Sequence, residues 1–173
     1  MKAKMVRFHI PDDQAFLAAV GRVALGHAHL DHVLRLAIKT LAGTTVSEAR
    51  LATAGYSSAA LRDEVRVLGK KALGDGPAYV MLRSMLTTAK LLSKRRNDLM
   101  HGIFAQEIDT DAESNGLIFQ EPIVLNEELE SAPPPTTVSL IDLAKSIENH
   151  VDALNGFRIS GFRAHSIPAL SGK

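Results

Sequence analysis

A chain of 173 residues has room for one domain with a proper core. It contains no cysteine, which excludes a disulfide framework, a thiolate zinc site and a cysteine nucleophile. With 20 Lys and Arg against 19 Asp and Glu the net charge is +1, so affinity for nucleic acid has to come from local clustering of charge.

The opening MKAKMVRFHIPDD is basic but has no apolar stretch behind it, so a secretory signal is not expected. No window of 18 apolar residues occurs, and no membrane span is expected either. The expected compartment is cytoplasmic.

After Pro11, Asp12 or Asp13 is placed to cap a first helix running to about Leu41, with Gly43 as its stop. Phe16, Val20, Val23, His27, Leu30, Leu34, Ala37 and Leu41 recur at three-four spacing and mark its buried face. Gly21 and Gly26 lie inside this helix at about 1 kcal/mol each relative to Ala, and predict close approach of a neighbouring backbone. A short helix is expected over 47–53 with Ser47 as its cap. A third runs from Ser57 or Ser58 to Leu73 through Leu61, Val65 and Leu68. Gly74 to Gly76 make a turn, and Pro77 suits the first position of a fourth helix. That helix carries Leu82, Met85, Ala89, Leu92, Arg96, Leu99 and Ile103 on one stripe and should end near His101, at Gly102.

Beyond the glycine the period changes. Ile103 to Ile108 and Leu117 to Ile123 read as two strands joined by a polar loop ending in Asn115-Gly116, a β-hairpin over 103–123. A Pro-rich linker covers 131–137, and Thr137 or Ser139 caps a last helix bearing Leu140, Leu143, Ile147, Val151, Leu154 and Phe157. The expected fold is one all-α domain over 1–173: a bundle of about five helices with a small β-hairpin inserted before the last. Glu127, Glu128 and Glu130 read as a solvated loop. The Gly-Phe-Arg echo at 156–158 and 161–163 suggests no mechanism.

The chemistry concentrates in Arg96-Asn97-Asp98-Leu99-Met100-His101-Gly102. A guanidinium neutralises phosphate oxygens with a planar fork of donors, and an imidazole exchanges protons near neutral pH. Arg96 sits on the apolar stripe, where a charge needs a partner. Asn97 and His101 share a helix face at four apart, but Arg96 and His101, five apart, diverge by roughly 140° on a regular helix. Cleaving RNA through its own 2′-hydroxyl requires both a base and an acid, and one motif supplies one imidazole. Two copies across a two-fold axis would supply two imidazoles and two guanidiniums around a single phosphate.

Arg96, Asn97 and His101, an R-N-x-x-x-H pattern at the end of a long helix, resemble the signature of the HEPN superfamily. The resemblance implies a metal-independent endoribonuclease, active as a homodimer in a toxin, defence or RNA-processing setting. It implies that Arg96 and His101 are the catalytic pair and that Asn97 positions them. RNA is then the expected partner, with an antitoxin or regulatory protein possible. The alternative within the same resemblance is a catalytically silent helical module that binds RNA, a nucleotide or a partner protein. A purely structural use also exists, since basic residues and His-Gly at a helix C-terminus complement the helix dipole.

Lys94 and Arg95, beside Lys90, could hold the backbone of an RNA strand, or simply be a solvated helix end. His27-Ala28-His29-Leu30-Asp31-His32 looks at first like a metal site, but its ligands divide between two helix faces and no H-E-x-x-H pattern completes them. No metal and no cofactor are expected. Asp31 or His27 is instead expected to pair with Arg96 or orient His101 from the neighbouring helix. The segment 103–137 is expected to cover the cleft or extend a dimer contact.

Overall fold

The computed structural model describes residues 5–110, 117–125 and 131–162. In chain order these form β1 (Met5–Phe8), α1 (Gln14–Ala42), α2 (Val46–Ala52), α3 (Ser58–Leu73), α4 (Pro77–His101), β2 (Ile103–Thr110), β3 (Leu117–Leu125), β4 (Ser131–Ala132) and α5 (Thr137–Ser160). The architecture is an all-α bundle with a small antiparallel sheet at one side.

The helix ends follow from local chemistry. Asp13 accepts from the backbone N–H groups of Ala15 and Phe16, and Gly43 closes α1 in the left-handed conformation at φ 66°. At α2 the cap is Thr45 and not Ser47: Thr45 and Glu48 satisfy each other's backbone donors in a capping box, which fixes the start before Ser47 is reached. Thr136, rather than Thr137 or Ser139, caps α5. Its hydroxyl accepts from Ser139 N at 3.1 Å, while the Ser139 hydroxyl turns back to the Thr136 carbonyl at 2.8 Å. Pro77 opens α4 as expected. Gly102 ends it by passing into extended backbone at ψ 132°, and a Cβ there would lie 2.6 Å from Val124 Cγ1, where α4 turns into the sheet.

The sheet is larger than the expected hairpin. β2 and β3 pair from Ile103↔Leu125 to Thr110↔Leu117, but β1 adds antiparallel to β2 (Met5↔Ile108 to Phe8↔Ala105). β4, taken from the start of the Pro-rich linker, pairs with the end of β3, giving the order β1-β2-β3-β4. The hairpin is therefore the centre of a four-stranded sheet. Phe104 of β2 docks it on the bundle through an edge-to-face contact with Phe16 of α1, ring centroids 5.7 Å apart. The Asn115-Gly116 loop, the acidic run at 127–130 and Arg163 of the second Gly-Phe-Arg lie outside the described residues.

α1 is the central helix, packed against α5, α3, α2 and α4. Two apolar clusters flank it. Leu30, Leu34, Leu61, Val65, Leu82 and Leu154 fill one; Phe16, Val23, Leu92, Leu99, Leu143 and Ile147 fill the other. On α4 the buried positions are Leu82, Leu86, Ala89, Leu92, Ser93 and Leu99, with Met85 only half-buried and Ile103 exposed past the helix end. The helix lies between α3 and α5, so its buried face is broader than a single stripe. Gly21 corrects another expectation, since a Cβ there would meet nothing within 4 Å. Gly26 does mark a close approach, by the Ile147 side chain of α5 at 3.2 Å rather than by backbone.

Candidate functional site

Where α1, the start of α3 and the last turns of α4 meet, they enclose a polar pocket of about 370 Å³. Its chemistry comes from His27 and Asp31 on α1, Tyr56 and Ser58 at the entry to α3, Arg62 on α3, and Ser93, Arg96 and Asn97 on α4. The spacing on each helix explains the convergence. His27 and Asp31 are one turn apart, and Ser93 and Arg96 are three apart, so each pair shares a face.

The buried Ser93 hydroxyl organises the floor. It donates to the Ala89 carbonyl at 2.8 Å, receives Arg62 Nη1 at 2.9 Å, and lies 3.1 Å from His27 Nε2. A hydroxyl has one proton, and Ser93 gives its proton to Ala89, so His27 Nε2 must carry the hydrogen on its side of the contact. His27 Nδ1 faces Asp31 Oδ2 at 4.0 Å, and Asp31 Oδ1 accepts from Ser58 Oγ at 2.6 Å. Ser93, His27 and Asp31 therefore follow one another as in a serine hydrolase triad but are not connected as one, since 4.0 Å between His27 and Asp31 is too long for a hydrogen bond. A nucleophilic serine needs Nε2 as acceptor, and here Nε2 is the donor.

The electrostatics hold His27 neutral. Burial lowers its pKa; the Asp31 carboxylate works against this, and the charges of Arg96 and Arg62 add to the lowering. Burial also lowers the Arg62 pKa, opposed by Asp31 and Asp63, yet a guanidinium keeps its charge. Asp31 is the lone carboxylate among the lining residues, against two guanidiniums. The lining thus carries an excess of positive charge, which favours an anion over a cation.

Arg96 is half-buried and donates from Nη1 to Asn97 Oδ1 at 3.1 Å, while its Nε is buried without a hydrogen-bond partner. The expected direct pairing of Arg96 with Asp31 or His27 is not formed. Asp31 is held by Ser58, and His27 by Ser93, so both share the pocket with Arg96 instead of neutralising it. Neither orients His101. That residue is the last of α4, exposed and outside the pocket lining. Its neighbours Met100 and Gly102 line an apolar groove of about 660 Å³ with Phe8, Ile10, Phe16, Leu17 and Phe104. Within one chain, Arg96 and Asn97 are together and His101 stands apart.

Lys94 and Arg95 are exposed and form no ion pair among the described residues. The 27–32 cluster is dispersed: His27 is buried on Ser93, whereas His29 and His32 are exposed, and no group of three potential metal ligands converges among the described residues. Arg62, Ser93 and Tyr56 were not singled out from the sequence, and Ser58 was named only as a possible start of α3. Of the first three only Ser93 left a trace there, as a polar residue beside the apolar stripe, one turn before Arg96. No protein family, curated protein or solved structure matches the chain in comparison.

Proposed function

We propose that the protein is a HEPN-like, metal-independent endoribonuclease that works as a homodimer, in a toxin, defence or RNA-processing setting. The observation that carries this reading is the division of the motif. Arg96 and Asn97 sit on an anion-seeking pocket with Arg96 Nε unsatisfied, while His101 stands exposed at the helix end. A second copy supplies what one chain lacks. The apolar groove beside His101, with Phe8 and Ile10 72% and 75% exposed, is the surface such a copy would cover. An antitoxin or regulatory protein is the further partner this setting implies.

In this mechanism one His101 removes the proton from a 2′-hydroxyl. Its oxygen attacks the adjacent phosphorus, and the bond to the 5′-oxygen breaks. The other His101 protonates that leaving oxygen, so the products carry a 2′,3′-cyclic phosphate and a 5′-hydroxyl. Arg96 from each subunit stabilises charge on the pentavalent phosphorus, held in place by Asn97. The deciding experiment is cleavage of a single-stranded RNA in EDTA by wild type and by His101→Ala. Cutting by wild type alone supports the enzyme.

The second reading is a catalytically silent module binding RNA, a nucleotide or a partner protein. It is favoured by one observation: the pocket contains Tyr56, Ser58, Arg62 and Asn97 but not His101. If wild type binds RNA, never cuts it, and His101→Ala binds identically, this reading replaces the first.

A further inference from the structure

Arg62 lines two cavities. Besides the polar pocket it borders a groove of about 210 Å³ between α3 and α4, whose other walls are Asp63, Arg66, Arg83, Thr87 and Lys90, with Leu86 buried beneath them. Arg66 is taken by Asp63 at 3.2 Å, the one carboxylate in the groove. Arg83 and Lys90 are exposed and have no ion pair among the described residues.

The α4 side of this groove continues beyond it. Arg83, Thr87, Lys90, Lys94, Asn97 and His101 follow one another at four, three, four, three and four residues. At 3.6 residues per turn all six lie within about 40° of one line along the helix. From Arg83 to His101 that line is five full turns, about 27 Å. Three cations of this row, Arg83, Lys90 and Lys94, thus lead along one face of α4, past the pocket that Arg62 and Arg96 share, to the exposed imidazole.

We propose that a single strand of RNA lies along this row, its phosphates on Arg83, Lys90 and Lys94, with Arg62 passing the strand from the groove into the pocket. This rests on the ribonuclease reading above and names the path of its substrate. A single strand is favoured over a duplex because its bases are unpaired and free to enter a pocket of about 370 Å³ that Tyr56 helps to line, where an aromatic ring can stack on a base. A second basic patch among the described residues, His32, Arg35, Lys39 and Arg50 between α1 and α2, shares no lining residue with either cavity and encloses almost no volume. It has the charge without the groove.

That contrast defines the test. The full chain is titrated into a fluorescent single-stranded RNA, methylated at every 2′-oxygen so that cutting does not interfere. Arg83→Glu/Lys90→Glu is compared with Lys39→Glu/Arg50→Glu, an identical change of net charge. The groove variant should weaken binding by at least about tenfold and flatten the dependence of log K on log salt by about 1.4, two contacts at about 0.7 each. The control should stay within about threefold of wild type. In wild type, 4-thiouridine RNA should crosslink to peptides of α3 and α4, which reads the path without any variant. A groove variant that binds like wild type, a control that loses as much, or crosslinks on α1 and α2 would each overturn the path. Binding along the groove without cleavage of unmodified RNA keeps the path and removes the nuclease. Cleavage indifferent to the groove variant does the reverse. Failure of wild type to bind RNA removes both.

Discussion

The Ser93 hydroxyl lies 3.1 Å from His27 Nε2 and joins α4 to α1 at the floor of the pocket. Because Arg62 donates to the same oxygen at 2.9 Å, one small side chain satisfies two donors in a confined space. Ser93→Ala leaves both without an acceptor. The expected loss is about 1–3 kcal/mol of unfolding free energy, the cost of stranding such groups, with an unchanged dependence on denaturant. Urea unfolding of the variant measures it. A stability equal to wild type would show that water replaces the hydroxyl and that Ser93 is not the organising group.

Two buried histidines make acid destabilising. Burial lowers the pKa of His27, and also of His150 on α5, where a hydrogen bond to the Met85 backbone opposes the shift and Nε2 has no partner. In the unfolded chain both titrate near their ordinary value of 6.5. As pH falls through that value the unfolded state takes up protons that the folded state refuses, so stability declines and continues to decline down to the folded pKa values. Urea midpoints should therefore drop as the pH falls through 6.5, the ordinary value of both groups. His150→Leu should flatten this slope, whatever it costs in stability at neutral pH. An unaltered slope would mean that His150 titrates freely in the fold.

The helix glycines divide by what surrounds them. At Gly21 a methyl group meets nothing within 4 Å, so Gly21→Ala should raise stability by up to about 1 kcal/mol through helix propensity. At Gly69, inside α3, the same methyl would lie 2.4 Å from Cδ2 of the buried Leu82. Gly69→Ala should cost about 1–3 kcal/mol through overpacking of the α3/α4 contact. Thermal melts of the two variants should move in opposite directions.

The glycines also show what periodicity can and cannot convey. Spacing revealed the buried faces of α1, α3 and α5 and the end of α4 at His101, because those depend on a residue's own helix. Which of Gly21, Gly26 and Gly69 a neighbour crowds depends on where α4 and α5 pass, and no local pattern encodes that. β1 escaped for a related reason. Val6, Phe8 and Ile10 alternate in only a few residues among basic ones, and the strand is defined by its pairing with β2 about a hundred residues later. At the site, Arg96 and Asn97 were legible from their motif. Arg62 was not, because an arginine on α3 acquires its role only when Ser93 arrives beside it.

The division of Arg96 from His101 yields the prediction that separates binding from chemistry. Arg96 lines the pocket; under the proposed ribonuclease function it would meet the phosphate both before and during reaction, so Arg96→Ala should weaken both affinity and rate. His101 is expected to move protons only, and His101→Ala should cut the rate by roughly 10²–10⁴-fold with RNA affinity nearly unchanged. Cleavage should persist in EDTA, since the mechanism assigns no step to a metal. The proposed composite site takes its two His101 rings from different subunits, so light scattering at micromolar concentration should give the mass of a dimer. Charge placed in the apolar groove by Ile10→Asp should produce a monomer that retains its helical signal and loses cleavage. A monomeric wild type that cuts RNA would refute the composite site, because a single exposed imidazole outside the pocket of Arg96 cannot serve as both acid and base for one phosphate.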